Sequence, residues 1–312
     1  MRILVVVPSP DDFDVRARRI VPEADVVHAR PGEAGYEDGL EACSILLGLP
    51  PVDDVHRASE LKWLQLSSAG ANNYVGKIPL DLKLTTASGV YGIPASEHAL
   101  AMMLAMVRSI HKSARDQTRR QWDRSGEYRE LNGSTCGVLG LGDIGTAVAQ
   151  RARGFGMRVL AVRRNPQSTP NVVDELFSVD RLNEMLAQCD HVVNTLPETE
   201  STLKILDAER LRAMKKGSFL YNVGRGTTVD QDALVDVIRA GHIAGAGLDV
   251  FEDEPLPAES PLWGMPNVLI TPHVGGLSPH EDERVAVVFF KNLRRYVRGE
   301  ALVNQVDHRV GY

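Results

Sequence analysis

The feature that most constrains the fold is a glycine-rich turn near the middle of the chain. Gly140, Gly142 and Gly145 have the spacing G-x-G-x-x-G, and they lie between a predicted strand at 134–142 and a predicted amphipathic helix at 143–155. The first glycine permits a tight turn, the second lets the backbone approach a phosphate, and the third lets the helix pack closely on its strand. The helix start then offers unpaired N–H groups and its positive dipole end to an anion. This context predicts a site for a dinucleotide pyrophosphate.

The next predicted strand, at 158–162, ends in Arg163 and Arg164. This is about twenty residues after the glycines, where an NAD enzyme normally places an acid on the ribose 2′-hydroxyl. A carboxylate there would repel a 2′-phosphate, whereas guanidinium groups bind it through charge-assisted hydrogen bonds. The sequence therefore favours NADP as the cofactor. The alternative is that both arginines are solvated and that NAD is used.

Composition narrows the class of protein. A chain of 312 residues is longer than one compact hydrophobic core usually accommodates, so two domains are predicted. Its hydrophobic content of 43% and charged content of 24% are typical of a soluble globular protein. The net charge of -6 provides no basic excess for nucleic acid, so no nucleic-acid partner is predicted.

The termini and cysteines predict a cytoplasmic protein that does not bind a membrane. Residues 1–10 resemble an apolar strand without a basic leader region, and no apolar run approaches the length of a membrane span. Cys43, Cys136 and Cys189 are scattered in apolar segments without C-x-x-C spacing. We therefore expect buried thiols in a reducing compartment and no metal site.

Strand and helix signals alternate along the chain, which predicts an α/β protein with parallel sheets. A connecting helix is predicted to begin near Ser96, as an N-cap after Pro94, and the last helix to begin at Ser278-Pro279 and end near Gly299. We place that last helix against the N-terminal domain. The first strand series is predicted at 3–7, 44–47, 63–67 and 82–87, and the second continues at 159–162, 191–196, 219–223, 247–250 and 268–271.

These elements predict two doubly wound, Rossmann-like domains with parallel sheets and an active site in the interdomain cleft. The substrate-binding domain is flavodoxin-like and discontinuous, comprising 1–95 plus 280–312. The dinucleotide-binding Rossmann domain comprises 96–279.

Three polar residues follow strands of the second series and are expected to meet at one sheet edge. Arg225 follows the strand at 219–223, Glu254 ends an acidic run after 247–250, and His273 follows 268–271. Carboxyl ends of parallel strands are where doubly wound sheets bind ligands. Each residue has an ordinary explanation taken alone, as a loop ion pair, a solvated acidic turn or a loop histidine. Together they favour a hydride-transfer site.

At these residues the chain resembles the D-isomer-specific 2-hydroxyacid dehydrogenase family, which includes glyoxylate/hydroxypyruvate reductases, D-lactate dehydrogenases and phosphoglycerate dehydrogenases. The resemblance covers essentially the whole chain. It is carried by the glycine loop at 140–145, by Val223-Gly224-Arg225-Gly226, by the segment from Leu248-Asp249-Val250-Phe251 to Glu254-Pro255, and by Thr271-Pro272-His273.

The resemblance implies an NAD(P)-dependent oxidoreductase in which Arg225 binds the substrate carboxylate and Glu254 orients His273. The chain departs from many relatives at Arg163, where those relatives carry Asp. Position in the motif selects Glu254 and leaves Glu252 and Asp253 as bystanders. Further cofactor contacts are implied for Asp143, Ile144, Leu196, Pro197, Thr202, Val223, Gly224, Asp249, His273 and Gly275.

The residue types suit reduction of a 2-keto acid. The nicotinamide carries the hydride, while a cationic His273 donates the proton and Arg225 stabilises charge on the carbonyl oxygen. Glu254 beside the histidine favours the imidazolium form. The loop Ser68-Ala69-Gly70 is predicted to offer backbone N–H groups to the substrate carboxylate, although a plain tight turn explains it almost as well.

The predicted activity is reduction of a small 2-keto acid, of the glyoxylate or hydroxypyruvate type, to a D-2-hydroxy acid. A nucleotide-sensing binding protein similar to the corepressor branch of the family is one alternative, because fold alone does not exclude it. Formate or phosphite dehydrogenase is another. Retention of Arg225, Glu254 and His273 argues against loss of chemistry.

A homodimer is predicted from the helix after Ser96 and the segment that follows it. This region carries Ile110, Trp122 and Tyr128 among many arginines, and aromatic and arginine side chains are enriched at interfaces. Relatives that the chain resembles dimerise through the cofactor domain. The alternative is that Trp122 covers the core of its own subunit.

Overall fold

The computed structural model describes residues 1–164 and 170–307 of the chain. The chain forms two compact units, Met1–Val90 with Ser278–Tyr312, and Tyr91–Leu277. The limits predicted from the sequence, 1–95 plus 280–312 and 96–279, differ from these by a few residues at each junction. Both units contain a parallel sheet with helices, which confirms the predicted α/β class.

The first unit has a five-stranded parallel sheet in the order β2-β1-β3-β4-β5, which is the flavodoxin-like order. The edge strand β2 was not predicted from the sequence because it is only half-buried and has no continuous apolar run. The elements are β1 (Arg2–Val5), α1 (Phe13–Ile20), β2 (Asp25–His28), α2 (Tyr36–Ala42), β3 (Ile45–Leu47), α3 (Val52–Arg57), β4 (Trp63–Gln65) and β5 (Lys83–Thr85).

The second unit begins with two helices and continues as a strand–helix series. Short 3-10 helices occur at Val179–Arg181, Gly226–Thr228 and Pro261–Gly264. The elements are α4 (Gly92–Val107), α5 (Ile110–Thr118), β6 (Thr135–Leu139), α6 (Asp143–Gly154), β7 (Arg158–Val162), β8 (Glu175–Phe177), α7 (Leu182–Leu186), β9 (His191–Asn194), α8 (Ala208–Ala213), β10 (Phe219–Asn222), α9 (Gln231–Arg239), β11 (Gly245–Leu248) and β12 (Val268–Ile270).

These seven strands form one parallel sheet in the order β12-β11-β10-β9-β6-β7-β8. Numbered from β6, the order is the Rossmann order with one further parallel strand at the β12 edge. Apolar clusters cover both faces, one around Leu139, Leu160 and Leu220 and the other around Val138, Val159 and Tyr221. The sequence missed β8, which is also a partly buried edge strand, and placed β11 two residues too late.

The start of α4 differs from the prediction. Ser96 lies inside the helix, is fully buried and donates its hydroxyl to the Ile93 carbonyl at 2.9 Å, so it is not an N-cap. Pro94 is the third residue of α4, and proline is tolerated in a first turn because the N–H groups there have no intrahelical acceptor. The helix therefore begins four residues before the predicted cap.

The last helix, α10 (Glu281–Val297), begins later than predicted, unlike α4. The Ser278 hydroxyl accepts the His280 N–H at 3.2 Å, and the Glu281 N–H donates to the Ser278 carbonyl at 3.2 Å. Ser278 therefore organises a turn that precedes the helix. The helix ends at Val297, followed by Gly299 with a left-handed φ of 67°.

α10 completes the core of the first unit. The ring of Phe289 stacks on Trp63 and on Phe13 with centroid separations of 5.3 Å in each case. Asn292, also buried, donates to Gln65 Oε1 at 3.0 Å and joins a polar network with Trp63 and Thr85. A buried polar network is stable only when its members are satisfied, and here side-chain bonds between α10 and the sheet satisfy them. No helix in residues 1–164 and 170–307 combines the length and apolar character of a membrane span.

Candidate active site

The order of the second sheet fixes where a ligand can bind in this unit. Strands β6 and β9 are neighbours in the sheet, but the chain continues from β6 to β7 on one side and from β9 to β10 on the other. The space beyond the carboxyl ends of β6 and β9 is therefore a topological switch point. The glycine loop follows β6, and the segment containing Leu196 and Pro197 follows β9. The loops after β10, β11 and β12 carry Arg225, Glu254 and His273 at the same edge.

The glycine loop has the form that a pyrophosphate requires. Gly140 has a left-handed φ of 88°, and a Cβ on Gly145 would collide with the Gly140 carbonyl oxygen. A Cβ on Gly142, by contrast, would meet no described atom within 4 Å. Gly142 is the N-cap of α6, and no side chain among residues 1–164 and 170–307 caps this helix end. The loop therefore leaves open space in front of helical N–H groups, which fits a phosphate-bearing dinucleotide.

Two neighbours stabilise this loop. The Thr195 hydroxyl lies 2.9 and 3.0 Å from the carbonyl oxygens of Leu139 and Gly140, and sequence reasoning did not single it out. Its one signal was its place directly after β9. The Asp143 carboxylate packs against the first residue of α4, since a Cβ on Gly92 would collide with it. Its predicted role toward the cofactor is therefore left to its backbone N–H at the helix start.

The loops after β9 and β10 pack tightly together. A Cβ on Gly224 would lie 2.7 Å from the Leu196 carbonyl oxygen, so only glycine fits between these segments. The Thr202 hydroxyl donates to the Pro197 carbonyl at 2.7 Å and shapes the turn after Leu196. Val223 is buried and Ile144 is partly buried, and the contacts of both with the cofactor stay a prediction.

Arg163 and Arg164 follow β7 and are both exposed. The Arg163 N–H donates to the Phe177 carbonyl of β8 at 3.1 Å, which fixes its backbone at the sheet edge. Asn165–Thr169, which follow, lie outside the described residues. Both residues thus follow the strand next to β6, at the position in the chain where a contact with the ribose 2′-substituent is predicted.

A buried amide network fixes the backbone of Arg225. Asn194 donates to Asn222 Oδ1 at 3.0 Å and to the Thr228 hydroxyl at 2.6 Å. Asn222 in turn accepts the Gly224 N–H at 3.1 Å and donates to the Arg225 carbonyl at 3.1 Å. The Arg225 side chain is partly exposed, and its Nη1 donates to the Gly224 carbonyl at 2.8 Å. The structure therefore holds a cationic side chain on a rigid turn.

Glu254 and His273 form a hydrogen-bonded pair. His273 Nδ1 lies 2.7 Å from Glu254 Oε2, and Glu254 Oε1 accepts the Phe251 N–H at 3.0 Å. The carboxylate thereby fixes the imidazole ring and leaves Nε2 without a hydrogen-bond partner among the described residues. Glu252 instead accepts the Gln231 N–H at 3.1 Å. The pair therefore has the geometry of an acid–base histidine with a carboxylate that orients it.

Asp249 holds the loop that carries His273. It is only 3% exposed, and its carboxylate accepts the Thr271 hydroxyl at 2.6 Å and the N–H groups of Val274 and Gly275 at 3.0 and 2.9 Å. Its oxygens are thus engaged within the protein. The cofactor contacts predicted for Asp249 and Gly275 stay predictions.

The loop Ser68-Ala69-Gly70 follows β4 in the first unit. The Ser68 hydroxyl donates to the Gly70 carbonyl at 2.7 Å, and the Ser68 carbonyl accepts the Ala87 N–H at 2.8 Å. The turn is therefore internally bonded, with Ala69 exposed at its tip. In the parts of the chain that the structure describes, no three His, Cys, Asp or Glu side chains are placed to share a metal ion.

Comparison with known proteins gives a consistent result. Residues 100–275 match the family model described as the D-isomer specific 2-hydroxyacid dehydrogenase, NAD binding domain. The chain is 37% identical over 255 residues to a glyoxylate reductase of Pyrococcus furiosus, a match that covers 75% of each chain.

Solved structures extend the similarity to the whole chain. A D-isomer specific 2-hydroxyacid dehydrogenase from Xanthobacter autotrophicus Py2, in complex with NADPH and MES, has a TM-score of 0.85 at 34% identity and covers 99% of both chains. An NADPH-dependent glyoxylate/hydroxypyruvate reductase from Sinorhizobium meliloti, in complex with NADP and sulfate, has a TM-score of 0.84 at 25% identity. That match covers 100% of this chain and 99% of the other.

Proposed function

Because the chain belongs to the D-isomer-specific 2-hydroxyacid dehydrogenase family, we propose that it reduces a small 2-keto acid of the glyoxylate or hydroxypyruvate type, with NADPH as the preferred cofactor. Membership makes it a nicotinamide-dependent oxidoreductase that acts on CH–OH donors. The observation that carries the proposal is the 2.7 Å contact between His273 Nδ1 and Glu254, which leaves Nε2 open as a proton donor.

In the proposed reaction, the bound nicotinamide supplies a hydride to the carbonyl carbon. The chain's own residues bind the acid and supply the proton. Arg225 pairs with the substrate carboxylate and stabilises charge on the carbonyl oxygen, and His273 Nε2 donates a proton to that oxygen. Glu254 stabilises the imidazolium before the transfer and keeps the ring in one orientation. In the reverse direction, neutral His273 accepts the hydroxyl proton.

The preference for NADPH is supported by Arg163 and Arg164 at the end of β7, and by the NADPH and NADP complexes of the two structural neighbours. Arg163→Gln removes a charged hydrogen-bond donor from the expected 2′-phosphate position. A charged hydrogen bond contributes roughly 1.5–3 kcal/mol, so the KM for NADPH should rise about 10- to 100-fold while that for NADH changes little.

Arg158→Gln is the matched control, because Arg158 begins the same strand and pairs with Glu175 at 3.2 Å. It should leave both KM values unchanged. Equal catalytic efficiency of the unmodified protein with NADH and NADPH would refute the NADP preference.

The activity itself is tested by following NADPH and NADH oxidation with glyoxylate, hydroxypyruvate and larger 2-keto acids. Turnover with a small 2-keto acid is the expected result. Saturable cofactor binding without turnover of any keto acid would instead identify a nucleotide sensor. Oxidation of formate or phosphite, with no keto acid reduction, would identify a different dehydrogenase.

The proposal includes a homodimer in the cytoplasm. Trp122 is 94% exposed, and Ile110 and Tyr128 are also exposed in the same part of the second unit. Aromatic rings at such exposure are typical of a surface that a partner covers. Light scattering should return about twice the 34.2 kDa chain mass, and Trp122→Ser should lower it. A fully active monomer would contradict the dimer.

The three free, buried cysteines suit a reducing compartment, which cell fractionation would test.

A further inference from the structure

His98 of α4 belongs to the hydrogen-bond network behind His273, although no motif of the sequence assigns it a role. Its Nε2 lies 2.8 Å from the Thr271 hydroxyl oxygen and 3.5 Å from Asp249 Oδ1. The Thr271 hydroxyl is itself 2.6 Å from the same carboxylate oxygen. The imidazole is only partly exposed, so water does not replace these contacts freely.

The direction of these bonds follows from what each group can donate. A carboxylate oxygen only accepts, so the Thr271 hydroxyl proton points to Asp249. The lone pairs of that hydroxyl are then available to His98, whose Nε2 carries a proton and donates. The resulting chain runs from His98 through Thr271 to Asp249. A substitution of His98 therefore affects the hydrogen bonds of the buried Asp249 carboxylate.

Asp249 transmits this constraint to three successive residues. Its carboxylate accepts the N–H groups of Val274 and Gly275, and its backbone carbonyl accepts the N–H of His273 at 2.9 Å. His273 has a left-handed φ of 53°, a region that non-glycine residues rarely adopt. These bonds hold the His273 backbone in a conformation that the residue does not favour by itself.

The space around the network is tightly filled. A Cβ on Gly275 would lie 2.8 Å from Asp249 Oδ2 and 3.2 Å from His98 Cδ2. The loop therefore packs directly on the imidazole and cannot shift toward α4. Removal of the imidazole would leave a lone pair of the Thr271 hydroxyl without its donor and would create free volume beside Gly275.

We propose that His98 is a positioning residue for the reaction, acting through Thr271 and Asp249 to keep His273 in its proton-donating orientation. This inference rests on the proposed role of His273 in reducing a 2-keto acid. It assigns α4 a function in catalysis that goes beyond packing, because His98 ties the helix to the loop after β12.

His98→Leu and His98→Gln test this role. Leucine removes the donor, and glutamine restores an N–H close to the position of Nε2. For His98→Leu we expect kcat to fall about 10- to 100-fold with KM for NADPH within about threefold of the unmodified value, as for a displaced catalytic group. His98→Gln should recover most of kcat. Thr271→Val removes the link to His98 and also the hydroxyl that donates to Asp249, so it should lose at least as much kcat as His98→Leu. The double variant should lose no more than Thr271→Val alone.

Amide hydrogen exchange of residues 271–277 provides a readout that does not depend on activity. His98→Leu should accelerate exchange there, and His98→Gln should not. His242→Leu is the matched control, because His242 is a partly buried histidine whose Nε2 contacts the Met214 carbonyl at 2.9 Å elsewhere in the same unit. It should change neither exchange at 271–277 nor kcat.

The outcomes separate the two proposals. If the unmodified protein reduces no keto acid but His98→Leu still accelerates exchange, the proposed function fails and the positioning of the loop stands. If His98→Leu changes neither kcat nor exchange, the role of His98 is refuted. The same conclusion follows if His98→Gln loses as much activity as His98→Leu. If His98→Leu does not fold, His98→Gln and Thr271→Val decide between these results.

Discussion

His191 should make the stability of the second unit depend on pH. It begins β9, is buried, stacks on Phe219 with a centroid separation of 5.4 Å, and places Nδ1 3.3 Å from the Tyr221 hydroxyl oxygen. Burial lowers the pKa of His191 from 6.5 to about 4, against a smaller opposing effect of Asp190. The folded protein therefore keeps this imidazole neutral at a pH where the unfolded chain protonates it.

The sign and size of the effect follow from the lowered pKa of His191. Between pH 6.5 and about 4 the unfolded state binds more protons than the folded state, so the free energy of unfolding falls as the pH falls. A tenfold difference in proton affinity between the two states corresponds to about 1.4 kcal/mol, which gives a limit of about 3 kcal/mol for complete protonation. At pH 5 the expected loss is about 2 kcal/mol, and at pH 7.5 it is close to zero.

Urea unfolding of the unmodified protein and of His191→Gln at pH 7.5 and 5.0 measures this quantity. Glutamine retains a polar group for Tyr221 and does not titrate. The unmodified protein should lose about 2 kcal/mol more than the variant between the two pH values. His242→Gln controls for replacing a histidine elsewhere in the same unit. Equal pH dependence of the unmodified protein and His191→Gln would refute the reasoning.

Two further predictions concern the site and the core. Glu254→Gln keeps a hydrogen-bond acceptor beside His273 but removes the negative charge. At this half-exposed position, the attraction between that charge and a protonated His273 is between about 1 kcal/mol, as in water, and about 4 kcal/mol. We expect kcat for keto acid reduction to fall about tenfold with unchanged NADPH affinity in fluorescence titration, and an unchanged kcat would contradict the assignment. Phe289→Ala removes the ring between Trp63 and Phe13 and should cost about 3–5 kcal/mol in the free energy of unfolding of the first unit. Urea unfolding monitored by tryptophan fluorescence, to which buried Trp63 contributes, should detect the loss, and a change below about 1 kcal/mol would count against the packing argument.

The parts of the fold that the sequence predicted are those where local chemistry leaves few options. The glycine spacing at 140–145 follows an apolar strand, and only glycine fits at Gly145 against the Gly140 carbonyl. The two parallel sheets were predicted because strand and helix signals alternate along the chain. The strands that were missed, β2 and β8, lie at sheet edges, which leaves them half-exposed without a clear apolar pattern.

Other features depend on contacts that no local pattern reveals. The predicted cap at Ser96 was wrong because tertiary packing extends α4 through Pro94, which the first turn accommodates. The contact of His98 with Thr271 joins residues that are 173 positions apart. Thr195 likewise contacts a loop 55 residues earlier in the chain. Arg225, Glu254 and His273 were singled out because each follows a strand, whereas Asn194 and His98, which join the networks behind them, lie far away in the chain.

The return of α10 to the first sheet has a consequence for synthesis on the ribosome. All of the second unit, through Leu277, is translated before α10, so the second unit has its full set of residues while the first unit still lacks one wall of its core. At about 5–20 residues per second, the chain from Val90 to the end of α10 takes roughly 10–40 s to emerge. During this time Trp63 and Phe13 have no Phe289 to cover them. The unit that is begun first is thus finished last, and its sheet without α10 is the form of this protein that we most expect a chaperone to bind.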